Sequence, residues 1–357
     1  MKKCLALILG AAMVLSGCGG SSSSSADAAS SNNTLKLYNW GEYMGEDLIS
    51  NFEKEYDAKV ICEYFDSNEM MYTKVQAGDK YDVLVPSDYM IERLMNEDLL
   101  QPINKDEIPN MENLADGVKN LDYDPDNTYS VPYFWGNVGI VYDKNNVSEA
   151  DLKKEGWNIL KDERYKGDEY IYDSERDSFM MAFKALGYSM NTDNEDEINA
   201  AYDWLLELNN TMEPAYVTDE VIDNMANGMK SLAVVYSGDA AYILSQNEDM
   251  GFFMPEEGTN LWSDAMVIPA NAENPELANK FINYVLSYDA SYGNSEYVGY
   301  ASSNKEVLED MSSEGGDYYE NEAYLPRTDN PKDEIFHDNE TLRAKLSELW
   351  IKVKAAK

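Results

Sequence analysis

Apolar residues in the first part of the chain alternate between short runs and helical spacing. The pattern predicts strands around residues 35–37, 58–65 and 81–86, with helices that start near Glu46 and span residues 70–77 between them. Such a strand–helix–strand–helix–strand order implies parallel strands joined by right-handed crossovers. The sequence therefore predicts an α/β fold.

The same alternation returns later in the chain. It predicts strands at residues 170–172 and 232–236, and helices at 195–208, 275–286 and around Leu342–Trp350. A further helix opens at Ser174, with three inward apolar residues: Phe179, Phe183 and Leu186. A chain of 357 residues is too long for one compact core, so we expect two α/β domains.

The link between the two parts is predicted from two extended segments. Residues 129–133 and 139–142 are strand-like, and Trp135-Gly136-Asn137 separates them. We expect this crossing to act as a hinge into the second domain.

The turn after the first strand carries the first candidate binding group. Trp40, Glu42 and Tyr43 follow that strand, and open α/β sheets bind ligands at the carboxyl ends of their strands. An aromatic face attracts a cation, and a carboxylate neutralises one. We therefore expect a site for a small organic cation.

Five later positions extend this candidate site. Ser87 stands where it would cap a helix, while Asp177 and Asp239 stand in first helical turns, where the helix dipole favours a carboxylate. For these three residues a purely structural role and ligand contact both stay open. Trp262 and Asp264 place an aromatic ring and a carboxylate immediately before an apolar strand.

The N-terminus predicts export. Two lysines precede an apolar run that is too short for a stable membrane anchor, which is typical of a signal peptide at residues 1–17. Leu15-Ser-Gly-Cys18 resembles the lipobox of bacterial lipoproteins, in which the cysteine is lipidated. Residues 18–33 are rich in Gly, Ser, Ala and Asn, the composition of a flexible tether. We expect an extracytoplasmic protein anchored by Cys18, in the periplasm or on the outer face of the cell membrane, with Cys62 as a buried unpaired thiol.

Charge and motifs exclude several functions. A net charge of −39 makes nucleic acid an unfavourable partner, since phosphate binding needs a basic surface. Residues 122–127 look like a calcium loop but lack the glycine and glutamate expected at its sixth and twelfth positions. The sequence has neither an H-E-x-x-H motif nor a G-x-S-x-G motif. We expect no metal, no cofactor and no enzymatic activity.

Several motifs together resemble the bacterial spermidine/putrescine-binding proteins, the extracytoplasmic receptors of ABC importers. Seven motifs occur in the order and at roughly the spacing seen in those receptors: Asn39–Tyr43, Ser67–Tyr72, Val85–Tyr89, Val131–Gly136, Leu186–Tyr188, Leu261–Asp264 and Ile268–Ala272. The resemblance covers nearly all of the chain after the tether. It implies the two-lobed type II periplasmic-binding-protein fold, with a ligand cleft between lobes joined by crossing strands, and a monomer that partners ABC importer membrane subunits.

The resemblance also assigns lobes and residues. It implies a first lobe of residues 34–138 and 264–303 and a second lobe of 139–263 and 304–357. It implies ligand contacts by Trp40, Glu42, Tyr43, Ser87, Tyr89, Asp177, Tyr236, Trp262, Asp264, Tyr300 and His337. His337 falls where the family often has a glutamine, and a surface role is its alternative.

Two departures from the spermidine-type pattern bear on the ligand. Ser174 stands where those receptors carry an aspartate for the central amine, whereas Asp239 stands where putrescine-type receptors also have a carboxylate. A diamine has two charged ends and no middle charge, so the resemblance favours putrescine modestly over spermidine.

Two other interpretations stay open. One is a receptor of the same fold for a sugar, an amino acid or iron, although an amino acid would want an arginine for its carboxylate and only Arg176 is near the proposed site. The other is an extracellular hydrolase that uses a pair of carboxylates.

Overall fold

The alternation of strands and helices is present in the computed structural model of the protein, which describes residues 33–356. The predicted signal peptide, Cys18 and nearly all of the predicted tether lie outside these residues. The strands are β1 Thr34–Trp40, β2 Lys59–Phe65, β3 Val83–Leu84, β4 Leu100–Gln101, β5 Ser130–Asp143, β6 Glu169–Tyr172, β7 Ala215–Val217, β8 Leu232–Tyr236, β9 Met250–Phe253, β10 Leu261–Pro269 and β11 Ala301–Ser302.

Twelve α-helices accompany these strands in the described part of the chain. They are α1 Leu48–Tyr56, α2 Asn68–Gln76, α3 Asp88–Asn96, α4 Glu149–Glu155, α5 Glu175–Ala185, α6 Glu195–Met212, α7 Glu220–Ala226, α8 Ser237–Gln246, α9 Pro275–Val285, α10 Tyr288–Val298, α11 Lys305–Ser312 and α12 Glu340–Ala355. Short 3-10 turns fill the connections at residues 105–118 and 156–165.

The strands run in the order β2–β1–β3–β10–β5–β8–β6–β7. Strands β1 to β3 are parallel, as are β6 to β8. Between these two groups, β5 pairs antiparallel with β10 over its first half and with β8 over its second half. We call the β1–β3 group with α1–α3 the first lobe, and the β6–β8 group with α5–α7 and α12 the second lobe.

Strand β5 connects the lobes and is buried from Ser130 to Tyr142. Its pairing with β10 shifts register between Asp264 and Ala265, which leaves Tyr133 without an opposite residue. A bulge of this kind re-aims side chains, and here it lies beside the candidate site. The prediction of two extended segments here was wrong, because 130–143 is one continuous strand.

Four other local predictions need correction. Trp40 is the last residue of β1 rather than part of the following turn, and Trp262 and Asp264 lie within β10 rather than before it. Leu186 is 37% exposed, because α5 ends just before it and its side chain leaves the inner face. Cys62 is free but only half-buried, since β2 is an edge strand.

A buried ion pair fastens the loop before α12 to the rest of the molecule. The Arg327 guanidinium donates to both Asp333 carboxylate oxygens, at 2.7 and 2.8 Å, and to the carbonyls of Met254 and Pro255. The Asp333 side chain is only 3% exposed. The Arg327 guanidinium therefore neutralises an Asp333 carboxylate that is shielded from water.

Candidate functional site

Asp264 lies where the two lobes meet and is only 7% exposed. Its Oδ2 accepts a hydrogen bond from the Tyr43 hydroxyl at 2.8 Å. The Tyr43 backbone is held in turn by Tyr133, the extra residue of the bulge, whose hydroxyl donates to the Tyr43 carbonyl at 2.6 Å. The bulge thus brings the turn after β1 up to the carboxylate on β10.

The second lobe supplies a matching pair. Ser174 caps α5 by accepting from the Asp177 backbone N–H, which fixes Asp177 in the first helical turn. The Asp177 Oδ2 accepts from the Tyr236 hydroxyl at 2.6 Å, whereas its Oδ1 is buried and has no partner among the described residues. One carboxylate oxygen therefore stays available to a ligand.

A third tyrosine–aspartate pair follows strand β8. Asp239 lies in the first turn of α8 and accepts from the Tyr300 hydroxyl at 2.9 Å. Gly238 makes this approach possible, because a Cβ there would lie 1.9 Å from a carbon of the Tyr300 ring. Only a residue without a side chain fits at this position.

The Trp262 ring connects the three pairs. Its centroid lies 5.2 Å from that of Tyr300, with perpendicular ring planes, and 6.0 Å from that of Tyr236. The Tyr300 ring in turn lies 5.8 Å from Tyr43. Edge-to-face packing of this kind orients rings rigidly. We call the set formed by Tyr43, Asp177, Tyr236, Asp239, Trp262, Asp264 and Tyr300 the tyrosine–aspartate cluster.

Burial makes the carboxyl groups of the cluster weaker acids than usual. It raises the pKa of Asp264 to about 6, although the Ser87 and Tyr43 hydroxyls lower it, and that of Asp239 to about 7, although the Tyr300 hydroxyl lowers it. Burial also raises the pKa of Asp177. Ionised carboxylates are costly in such an environment, and a cationic ligand would offset that cost.

Ser87 and Tyr89 form a patch on the first lobe next to the tyrosine–aspartate cluster. The Asn68 amide donates to the Ser87 hydroxyl at 3.0 Å and to the Tyr89 hydroxyl at 2.9 Å. Ser87 stands at the N-cap of α3, but its side chain makes no capping bond, because Asn68 holds it. A backbone bridge between Ser87 and Asp264 joins this patch to the tyrosine–aspartate cluster.

The remaining predicted residues have their contacts elsewhere. Trp40 donates from Nε1 to the Val85 carbonyl at 2.9 Å and packs on Phe65. Glu42 is exposed, and its carboxylate lies 3.3 Å from the Tyr297 hydroxyl. None of these contacts involves a member of the cluster.

His337 is also partly exposed, and its Nδ1 lies 3.1 Å from the Glu92 carboxylate on α3. The carboxylate raises the pKa of His337. This contact anchors the loop before α12 to the first lobe and does not involve the cluster.

Some residues around the site were not among the predicted contacts. Asn68 and Glu69 lie within the motif Ser67–Tyr72, and Asp88 lies within Val85–Tyr89, so the motifs contained the signal that would have found them. Asp88 is 1% exposed, and burial raises its pKa to about 8. Asp88 adds a second buried carboxyl beside Asp264. The charge of Asp264 contributes to the raised pKa of Asp88.

Two structural features are absent from residues 33–356. No helix there is long and apolar enough to cross a membrane. No group of three or more His, Cys, Asp or Glu side chains in that range is placed to hold a metal ion.

Comparisons with known proteins identify the family of the chain. Residues 47–323 match the family described as bacterial extracellular solute-binding protein. The chain is 35% identical over 285 residues to the spermidine/putrescine-binding periplasmic protein of Escherichia coli K12, covering 79% of this chain and 81% of that one. It is 31% identical over 333 residues to the putrescine-binding periplasmic protein PotF of the same organism, covering 88% and 87%.

A solved structure extends the comparison. The spermidine/putrescine ABC transporter substrate-binding protein PotD from Streptococcus pneumoniae superposes with a TM-score of 0.78 and 35% identity, covering 91% of this chain and 99% of that one. The predicted two-lobed type II periplasmic-binding-protein fold is confirmed. The chain belongs to the family of bacterial extracellular solute-binding proteins, which are receptors for solutes rather than a family of enzymes.

Proposed function

We propose that the protein is an extracytoplasmic receptor that binds a polyamine and delivers it to the membrane subunits of an ABC importer. Relatives named as polyamine-binding periplasmic proteins cover most of the chain, and so does a solved structure named as an ABC transporter substrate-binding protein. The observation that carries the proposal is the tyrosine–aspartate cluster, in which three carboxylates each accept a tyrosine hydroxyl and two of these tyrosine rings pack on Trp262. Carboxylates suit ammonium groups, and the rings suit the methylene chain between them.

Binding would need no covalent chemistry. Each carboxylate already accepts one tyrosine hydroxyl and would use its remaining lone pairs for an ammonium group. A ligand of the wrong length would leave a buried charge unpaired, which disfavours it. Movement of the lobes about β5 and β10 would then close the cleft and present a shape that the importer recognises.

The ligand we favour is putrescine over spermidine. Ser174 accepts a backbone N–H of α5 and carries no charge for a central amine. Asp239 supplies a carboxylate instead, paired with Tyr300. A diamine such as putrescine carries a charge at each end and none in the middle, so it suits this arrangement of side chains.

We also propose the cellular arrangement. Lipidation at Cys18 after removal of residues 1–17 would anchor the receptor, and residues 18–33 would tether a monomeric body. We propose lobes of 34–138 with 264–303 and of 139–263 with 304–357. The packing of α9 on α1, and of α12 on α5 and α6, supports these boundaries.

Calorimetry of the soluble body starting at Thr34 tests the ligand. We expect binding of putrescine, weaker binding of spermidine, and no heat with sugars or amino acids. Binding of a sugar or an amino acid but of no polyamine would overturn the proposal in favour of another solute. Paired carboxylates also serve glycosidases, so a parallel glycosidase assay tests that alternative. We expect it to show no turnover.

A further inference from the structure

Arg176 crosses between the two lobes beside the candidate site. It is the second residue of α5, which packs on β6, α6 and α12 in the second lobe. Its guanidinium donates to the Glu69 carboxylate at 3.0 Å, and Glu69 belongs to α2, which packs on β2 and α3 in the first lobe. The ion pair therefore spans the cleft.

The same guanidinium also lies on an aromatic ring of the first lobe. Its central carbon is 3.7 Å from the centroid of the Tyr89 ring. Tyr89 is fixed from the other side, where the Asn68 amide donates to its hydroxyl at 2.9 Å. The Arg176 side chain is 18% exposed, so water weakens both contacts only in part.

Arg176 is a cation in a cleft that we propose to bind cations. If it acted only through its charge, it would repel an ammonium group, and its removal would strengthen polyamine binding. Its contacts support the opposite role, because Glu69 and Tyr89 can hold it only while the lobes lie close together. Separation of α5 from α2 breaks both contacts at once.

We propose that Arg176, Glu69 and Tyr89 form a latch that stabilises the closed arrangement of the lobes, so that Arg176 is a positioning residue for ligand retention. This inference rests on the proposed function. Energy gained only in the closed state adds to ligand affinity without any contact to the ligand. Such a gain slows dissociation, whereas a long-range charge effect would change mainly the association rate.

The test is a double-mutant cycle on putrescine binding with Arg176→Met and Glu69→Gln. Methionine keeps an unbranched apolar side chain but removes the charge and its hydrogen bonds. We expect Arg176→Met to weaken binding about three- to thirtyfold, through faster dissociation. We expect the double variant to be less impaired than the product of the two single effects, because each substitution breaks the same ion pair.

The matched control is Lys153→Met, which breaks the exposed Lys153–Glu149 pair within α4 at 2.9 Å and should leave binding unchanged. Thermal unfolding without ligand checks that each variant is folded, and Arg176→Gln, which also removes the charge, replaces Arg176→Met should that variant not fold. Unchanged or tighter binding by the Arg176 variant, or single effects that simply multiply, would overturn the latch. Failure of the wild-type protein to bind any polyamine would instead overturn the proposed function.

Discussion

Replacement of Asp264 by asparagine should move ligand affinity and stability in opposite directions. Asparagine has the same shape and can still accept the Tyr43 hydroxyl, which lies 2.8 Å from Oδ2 in the wild type. It removes the charge and replaces the other carboxylate oxygen by an NH2 group. A charge-assisted hydrogen bond contributes about 1.5–3 kcal/mol, so putrescine should bind roughly ten- to hundredfold more weakly.

The stability effect follows from the pKa of Asp264. Burial raises it from 3.8 to about 6, so the folded state disfavours the ionised form, and wild-type stability is lost as the pH rises through this interval. The rise corresponds to ~3 kcal/mol at pH 7 and above. Asparagine never ionises, so the ligand-free variant should exceed the wild type by up to that amount at pH 7, and the gain should fall away below about pH 4.

The assays are putrescine titration by calorimetry and urea unfolding of the ligand-free protein at pH 5 and pH 7.5. Serine at position 50, an exposed residue of α1, offers a control as Ser50→Ala, with neither effect expected. An Asp264→Asn variant that binds putrescine with the wild-type affinity would refute the site assignment. A variant that is less stable than the wild type at pH 7.5 would refute the argument from burial.

Three further outcomes follow from the structure. Gly238→Ala should displace the Tyr300 ring, lower the free energy of unfolding by ~1–3 kcal/mol and weaken putrescine binding, as measured by urea unfolding and calorimetry. Arg327→Met should destabilise the protein by ~3–5 kcal/mol in urea unfolding, because it leaves the buried Asp333 carboxylate unpaired. Glu169 is fully buried and burial raises its pKa to about 8, so wild-type stability should fall between pH 5 and pH 8. Glu169→Gln should make that fall smaller, because Asp88, Asp239 and Asp264 still contribute to it. Equal melting-temperature profiles for the two proteins would contradict the reasoning.

The periodic parts of the fold could be predicted from the sequence, whereas the crossing strand could not. Gly136 lies in the predicted break between two extended segments, yet both it and Pro132 fit within β5 for local reasons. Pro132 lies opposite Ala265 at the register shift, where a missing N–H is tolerated. A Cβ on Gly136 would lie 2.9 Å from the Trp262 ring, so glycine permits a close approach that no local pattern reveals.

The candidate site shows the same limit. The sequence supplied the aspartates and tyrosines but not their pairing, because Asp264 and Tyr43 are brought together only by a chain that passes more than once between the lobes. Ser87 illustrates a second cause. Its position at a helix start predicted a cap, but the Asn68 amide binds the hydroxyl instead, a tertiary contact that overrides local preference.

Burial of the carboxyl groups also bears on how the receptor would distinguish charged from neutral solutes. Asp264 and Asp239, with pKa values of about 6 and 7, face an ionisation cost at neutral pH that tyrosine hydroxyls reduce without removing. A neutral solute of similar size would leave that cost in place, whereas a diamine would offset it at both ends. The same desolvation that makes the empty carboxylates unfavourable therefore makes a dication the ligand that gains most from binding.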